Sequence, residues 1–257
     1  MKRFKNSDPF LIEKLRHKYA KAGNLTLFRE LYSNDIEEIP NRNDGVLWDK
    51  LNKRTKQDLE KSPIYKNKIE VISKFLYRKH GNLLDIGFGN GILEKKLYKT
   101  NIKLFGIDIS RKSTSNLNKE IKGVFKTGTV TKIPFKSNYF DFVLLLDVLE
   151  HISTNKTFKA LKEVNRVLKK EGYLIISIPL NEGLEEMLGR GENPNGHMRD
   201  YTPDIIRAEL TISGFKIFKE TLLYAFKESY LLKSLVLNFL PFEIRKPNLM
   251  IVFAKKK

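Results

Sequence analysis

The chain has 257 residues, of which 41% are apolar, with a formal charge of +18 and no cysteine. This apolar content is enough for one buried core with an appendage, and the lack of cysteine excludes disulfides, thiolate zinc sites and a cysteine nucleophile. No run of roughly 18 apolar residues indicates a membrane-spanning helix, and no apolar signal core follows the N-terminus, so a cytoplasmic protein is expected.

Residues 1–62 contain three helical stretches, and we expect them to form an N-terminal extension that caps the rest of the chain. The first helix starts with Asp8 as N-cap and Pro9 at the first helical position, and Gly23 ends it. The segment LTLFRELYS continues as a short helix. A polar helix follows around Trp48.

An amphipathic helix after Pro63 leads into the stretch Asn82–Leu97, NLLDIGFGNGILEKKL, which combines three local signals. The run LLDI is typical of a strand buried on both faces of a parallel sheet. Glycines follow at alternate positions, and the apolar residues after them have helical spacing. A strand, a glycine turn and a helix begin a nucleotide-binding βαβ unit, in which a ligand approaches the backbone closely and meets the positive helix N-terminus.

Two acids flank this turn in the sequence. Asp85 ends the first strand, and Asp108 ends the next predicted strand, 23 residues later. The glycine spacing is G-x-G-x-G, which differs from the G-x-G-x-x-G of nicotinamide and flavin sites. With Asp85 before it, the stretch resembles motif I of the class I S-adenosylmethionine (SAM)-dependent methyltransferases. The resemblance implies SAM as the cofactor and a role for Asp108 in holding the ribose hydroxyls.

The downstream segment GTVTKIPFKSNYFDFVLLLDVLEHI is similar to the pattern G-D-A-x-x-L-P-F…F-D-x-V…L-E-H of the same family. Thr129 stands where an acid is common, so the resemblance leaves the adenine contact to the Thr129 hydroxyl and the Val130 backbone. The run FDFVLLLDV predicts a fourth strand that ends at Asp147. A helix ending at Gly172 and a fifth strand, YLIISIPL, follow.

The resemblance implies an α/β, Rossmann-like fold with a seven-stranded, mostly parallel sheet and helices on both faces. The expected strand order is 3-2-1-4-5-7-6, with the last strand antiparallel. We expect residues 63–257 to form this methyltransferase domain, with a substrate-side insertion over 181–246. Within the insertion, a loop rich in glycine and asparagine precedes a helix that starts at Thr202 and Pro203.

The predicted cofactor site consists of residues at or just beyond the strand ends, where an open α/β sheet binds its ligand. These residues are Asp85, Gly87, Gly89, Gly91, Asp108, Ile109, Thr129, Val130 and Asp147. The alternative for Asp85 and Asp108 is a turn or helix-capping acid. For Asp147 the alternative is a cap of the next element.

The predicted acceptor side depends on four residues. His197 and His151 are candidate catalytic bases, and for His151 the alternative is a hydrogen bond that fixes a loop. The segment GHMRDYTP is similar to the H-x-R-x-[YF]-[TS]-P segment of many small-molecule methyltransferases. This similarity predicts that Arg199 and Tyr201 contact the acceptor, although Arg199 could equally pair with a carboxylate of the protein.

A metal alternative arises from Asp147, Glu150 and His151, which are plausible ligands for a divalent ion. They are similar to the acid-x-x-E-H motif at which some ubiquinone-type O-methyltransferases place such an ion. Because the L-E-H triplet is widespread in the superfamily without metal, no metal site is predicted.

The sequence therefore predicts a SAM-dependent methyltransferase for a small-molecule or lipid-like acceptor, acting as a monomer or homodimer. The charge leaves an RNA methyltransferase as an alternative, although no [ND]-P-P-[YFW] tetrad follows the fourth strand and lysines spread over solvated faces would explain the charge as well. A non-catalytic SAM-binding subunit is a further alternative. The apolar stripe in Glu228–Arg245 predicts a helix that packs on the protein, lines a greasy acceptor site or contacts a membrane surface.

Overall fold

The computed structural model describes residues 8–33, 36, 43–226, 233, 236–237, 239–240 and 246–257. Its centre is a seven-stranded sheet. The strands are β1 (Gly81–Ile86), β2 (Ile102–Asp108), β3 (Val124–Thr127), β4 (Phe140–Leu146), β5 (Leu168–Pro179), β6 (Phe215–Leu223) and β7 (Leu249–Lys256). Their order is β3-β2-β1-β4-β5-β7-β6, and the first five strands pair in parallel. This order is the predicted one. The last strand, β7, is antiparallel to both β5 and β6, which confirms the predicted antiparallel strand.

Helices precede the sheet and connect its strands. They are α1 (Pro9–Lys21), α2 (Leu25–Glu30), α3 (Gly45–Lys61), α4 (Pro63–Leu76), α5 (Ile92–Leu97), α6 (Arg111–Glu120), α7 (Thr157–Val167), α8 (Leu184–Gly189) and α9 (Pro203–Ile212). Helices α1 and α2 pack against α9, whereas α3 packs against α4 and α6. The N-terminal helices therefore reach the rest of the fold at two separate places, at α9 and beside the glycine turn.

Two apolar layers, one on each face of the sheet, form the core. Side chains alternate between the faces along a strand, so Leu84 and Val143 point into one layer while Leu83 and Leu144 point into the other. All four are fully buried. Burial on both faces explains why β1 and β4 have continuous apolar runs in the sequence.

The predicted helix starts are confirmed by their caps. The Asp8 carboxylate accepts a hydrogen bond from Phe10 N at 3.0 Å, with Pro9 at the first helical position. The Thr202 hydroxyl accepts from Ile205 N at 3.4 Å in the same way at the start of α9. Each cap satisfies an N–H group that has no partner inside its own helix.

The structure differs from the sequence prediction around β5. Helix α7 ends at Val167, and β5 already begins at Leu168, so the predicted helix end at Gly172 is wrong. Leu168 has extended backbone angles, pairs with Phe140 across a bulge and is fully buried. Burial in the sheet thus outweighs the helical propensity of the LKKE segment. The short helix α8 lies between β5 and the predicted loop rich in glycine and asparagine, in a stretch for which no element was predicted.

Most of the predicted helix over Glu228–Arg245, including Leu235, lies outside the described residues. Among the helices that the structure does describe, none is both long and apolar enough to cross a bilayer.

Candidate cofactor and acceptor site

The carboxyl ends of β1, β2 and β4 open into a cavity of about 670 Å³, where the strand order reverses. The predicted residues that line it are Asp85, Gly87, Gly89, Asp108, Ile109, Thr129, Val130, Asp147, His151 and His197. Three predicted residues, Gly91, Arg199 and Tyr201, are not part of this lining. Helices α3 and α4 add Trp48, Asn52, Tyr65 and Lys68 to the wall.

The glycine turn after β1 is built for close approach. Gly87 has φ +78°, and its N–H donates to Ile107 O at 2.7 Å, which ties the turn to β2. A Cβ at Gly87 would lie 2.7 Å from Val148 Cγ2, so a larger residue would displace the wall of the cavity. Gly91 also has positive φ, but its missing Cβ makes room for Leu117 of α6. Gly87 thus shapes the cavity, whereas Gly91 serves helix packing.

Asp85 lies at the floor of the cavity beside a second carboxyl group, Glu94 of α5. Burial raises the pKa of Asp85 well above its usual range, and Glu94 raises it further. Asp85 Oδ1 and both Glu94 carboxylate oxygens are buried. The pKa of Glu94 is raised as well, mainly by burial, so one carboxyl group of the pair can keep its proton and donate it to the other. Sequence reasoning missed Glu94, although a glutamate between Leu93 and Leu97 on the apolar side of a helix was a usable signal.

Asp108 is fixed by two backbone donors. Its Oδ2 accepts from Gly89 N at 2.9 Å and its Oδ1 from Ser110 N at 2.7 Å. Burial raises the pKa of Asp108, although these two N–H groups counteract the rise. Above it, Asn52 of α3 donates to Ser113 Oγ at 2.9 Å, and the Ser110 hydroxyl donates to Asp49. Helix α3 therefore closes one side of the space next to Asp108.

Asp147, just beyond the end of β4, forms an ion pair with Lys68 of α4. The Ser177 hydroxyl also donates to Asp147 Oδ1 at 2.6 Å. Burial alone would raise the pKa of Asp147, but the charge and hydrogen bond of Lys68, with Ser177, hold it below its usual range. Lys68 is only 2% exposed. Sequence reasoning missed it, although a lysine at helical spacing between Ile64 and Ile72 on an apolar face is unusual.

Two histidines and a glutamate meet at the other end of the cavity. Glu150 is fully buried and neither carboxylate oxygen has a hydrogen-bond partner among the described residues. Burial, followed by the charge of Asp147, raises the pKa of Glu150 well above its usual range. The rings of His151 and His197 meet edge to face, with centroids 4.7 Å apart. Ligand atoms of Glu150, His151 and His197 lie within 4.8 Å of one another, whereas Asp147 is not in this group.

The two imidazoles differ in their partners. His151 Nδ1 lies 3.3 Å from Gly196 O, and Trp48 packs edge to face on its ring at 4.7 Å. Burial, followed by the proximity of His197, lowers the pKa of His151 to about 4. His197 Nδ1 instead lies 2.6 Å from a carboxylate oxygen of Glu182, a residue that sequence reasoning did not select. The carboxylate nearest to His151 is that of Glu150, 4.0 Å from its Nε2, so His197 has the closer acidic partner, and the lowered pKa makes His151 a poor base.

Comparison with known proteins places the central part of the fold in a family. Residues 84–176 match the family model described as a methyltransferase domain. Two solved structures with the same fold are SAM-dependent methyltransferases from Methanosarcina mazei (19% identical, TM-score 0.55, covering 72% of this chain and 96% of theirs) and Archaeoglobus fulgidus (18%, 0.56, 73% and 94%). Over residues 84–176 this chain therefore matches a methyltransferase domain, and its fold is that of SAM-dependent methyltransferases.

Curated relatives extend this comparison. The chain is 38% identical over 120 residues to an uncharacterized protein of Methanocaldococcus jannaschii, covering 46% of this chain and 54% of that protein. It is 31% identical over 113 residues to a ubiquinone biosynthesis O-methyltransferase of Pelagibacter ubique, covering 42% and 45%. The chain thus matches about half the length of each of these two relatives. SAM is the methyl donor of the domain family.

The methyltransferase domain fits this cofactor. The cavity lining contains carboxyl groups at Asp85, Glu94 and Asp108, which suit the hydroxyl and amine donors of a nucleoside bearing an amino acid. Its turn lets a ligand reach the backbone at Gly87 and Gly89. It also places a buried cation, Lys68, and an anion, Asp147, side by side, a pair that suits a zwitterionic group.

Arg199 and Tyr201 lie outside this cavity, between the N-terminal helices and α9. Arg199 is 2% exposed and pairs with Glu209 at 2.9 Å. Both Tyr32 and Tyr201 donate their hydroxyls to the same Glu209 carboxylate, at 2.7 and 3.1 Å. The carboxylate partner foreseen as the alternative for Arg199 is therefore present, and this cluster joins α2 to the methyltransferase domain.

Proposed function

We propose that the protein is a SAM-dependent methyltransferase that modifies a small-molecule or lipid-like acceptor. The observation that supports this most strongly is the single cavity that runs from the glycine turn and Asp108 to His151 and His197. Donor and acceptor sites must adjoin for an in-line methyl transfer, because catalysis of this reaction depends mainly on alignment and on exclusion of water. One cavity lined by both groups of residues places the two sites next to each other.

On the cofactor side, we assign the ribose hydroxyls to Asp108 and the amino-acid end to Lys68 and Asp147. Thr129 and Val130 lie in the lining after β3, and we assign the adenine contact to them. Bound SAM supplies a methyl group on a sulfonium, which is an excellent leaving group. The protein therefore needs to hold and orient this cofactor more than to activate it.

On the acceptor side, we assign the general base to His197. It lies in the cavity wall with a carboxylate partner, whereas burial makes His151 a weak base. His151 then serves to shape the pocket, together with Trp48 and Met198. The apolar and aromatic part of this wall suits an acceptor with a hydrophobic body and one polar reacting group.

Trideuteromethyl-labelled SAM tests the proposal. Purified protein is incubated with labelled SAM and an extract of small molecules and lipids, and mass spectrometry detects products that gain the label. We expect a labelled product, with a lower yield in His197→Asn and an unchanged yield in His80→Asn, a substitution at an exposed histidine. Calorimetry with S-adenosylhomocysteine should give equal affinities for all three proteins. Tight binding without any labelled product would favour a non-catalytic subunit instead.

A further inference from the structure

Glu182 and His197, which lie on either side of helix α8 in the chain, contact each other through their side chains. Glu182 lies between Asn181 (φ +57°) and Gly183 (φ +67°), so the backbone turns sharply on both sides of it. Its side chain is 19% exposed and lines the cavity, and its Oε2 lies 2.6 Å from His197 Nδ1. A carboxylate is thus directed at one ring nitrogen of an imidazole that is itself 7% exposed.

The backbone of His197 is held by bonds other than this contact. The side chain of Asn193 makes two hydrogen bonds to the His197 backbone. The His197 N–H donates to Asn193 Oδ1 at 3.0 Å, and the His197 C=O accepts from Asn193 Nδ2 at 2.9 Å. The next residue, Met198, donates its N–H to Glu150 O at 2.8 Å. The imidazole–carboxylate bond therefore acts on the ring and its proton, while the backbone position is set by Asn193 and Glu150.

We propose that Glu182 is a positioning residue that holds the His197 ring with its proton on Nδ1 and so presents the Nε2 lone pair to the acceptor. A carboxylate accepts only, so it must bind the protonated ring nitrogen. The other nitrogen of the neutral ring then carries the lone pair that can take a proton. Glu182 would in addition stabilise the imidazolium that forms.

The proposal rests on the proposed function and narrows the class of acceptor. A proton-accepting nitrogen is useful only if the acceptor's nucleophilic atom carries a proton, as in a hydroxyl or a protonated amine. The O–H or N–H bond breaks and its proton moves to Nε2. The electron pair left on the acceptor atom would form the new bond to the methyl carbon, while the methyl–sulfur bond of SAM breaks and its electron pair stays on the sulfur of the departing S-adenosylhomocysteine. A thioether acceptor, which has no such proton, would make no use of this pair.

Nitrogen NMR of the full chain tests the positioning role without an acceptor. Long-range ¹H–¹⁵N spectra of the imidazoles, recorded above about pH 8 where neutral histidine is the ordinary form, identify which nitrogen carries the proton. We expect the Nδ1–H tautomer for His197, with its signals assigned by their loss in His197→Asn. In Glu182→Gln the amide can donate as well as accept, so we expect a mixture of the two tautomers.

The matched control is Glu192→Gln, which changes an exposed glutamate of the same loop that pairs with Arg190. It should leave the His197 tautomer unchanged, and the His80 signals should stay constant in every variant. An Nε2–H tautomer in the wild type would overturn the proposal even if Glu182→Gln did not fold. An unchanged tautomer in folded Glu182→Gln would also overturn it. If the wild type does not bind S-adenosylhomocysteine, in contrast, the proposed function is contradicted, while the tautomer result still stands.

Discussion

Asp108 is the single residue whose replacement tests the cofactor site most directly. Its carboxylate already accepts from Gly89 N and Ser110 N, and its remaining lone pairs are available to the ribose hydroxyls. Asp108→Ala should weaken S-adenosylhomocysteine binding by about 1.5–3 kcal/mol, the range for hydrogen bonds to a charged group. Calorimetry measures this loss, and Asp204→Ala, at an exposed acid on α9, is the control. Equal affinities for both variants would refute the site assignment.

Glu150 supports a prediction about pH. A free glutamate has a pKa of about 4.3, and the folded chain holds the Glu150 pKa well above its usual range. The unfolded chain therefore releases this proton first, and Glu150 costs stability increasingly as pH rises above about 4.3. Glu150→Gln keeps the group neutral, so its melting temperature should exceed that of the wild type near pH 7 and the difference should shrink toward pH 4.5. A difference that does not vary with pH would contradict the assigned shift.

The cofactor-site residues of the cavity that the sequence predicted lie at or just after the ends of strands. Asp85, Gly87 and Asp108 follow directly from local order, because a strand end places its next residues at the cofactor edge. Lys68 and Glu182 could not be found in this way. They come from a helix before the motif and a loop after β5, and only the packed fold brings them to the cavity. Distance along the chain, rather than residue type, concealed them.

At the level of elements, the attachment of α1 and α2 to α9 depends on buried charges. Arg199 and Glu209 form an ion pair with almost no exposure, and Tyr32 donates to the same carboxylate. Arg199→Met should cost about 3–5 kcal/mol, because it leaves a buried carboxylate without its cation. The double variant Arg199→Met with Glu209→Met should lose less than the sum of the single changes. Chemical denaturation measures all four proteins, and additive losses would show that the pair is not coupled.

The contrast between local and long-range signals also decides which helix and strand boundaries could be predicted. Helix starts at Asp8 and Thr202 were predictable because an N-cap bond is made within four residues. The end of α7 was not, because Leu168 leaves the helix to pair with Phe140, which lies 28 positions earlier in the chain. The sheet order could be expected only from the family resemblance. Local signals thus define where elements begin, and tertiary pairing decides where they stop.

For the whole molecule, the charge of +18 predicts weak attraction to any polyanion. Binding to a short single-stranded RNA, followed by fluorescence anisotropy, should weaken steeply as salt is added, because each phosphate contact releases counterions. We expect no measurable binding near physiological salt, with the same behaviour in Asp108→Ala. Tight binding that selects one RNA structure at about 150 mM salt would instead favour an RNA methyltransferase.

Helix α3 touches both halves of the cavity, and this has a thermodynamic consequence. Asp49 and Asn52 bond to the segment after Asp108, whereas Asn43, just before the helix, donates to His151 O at 2.9 Å. An element that contacts both proposed ligand sites can link their binding equilibria. If cofactor binding tightens α3 against the domain, the acceptor gains affinity by some factor, and the acceptor must increase cofactor affinity by that same factor. Any such coupling between the two ligands would therefore be transmitted by a helix that belongs to neither motif.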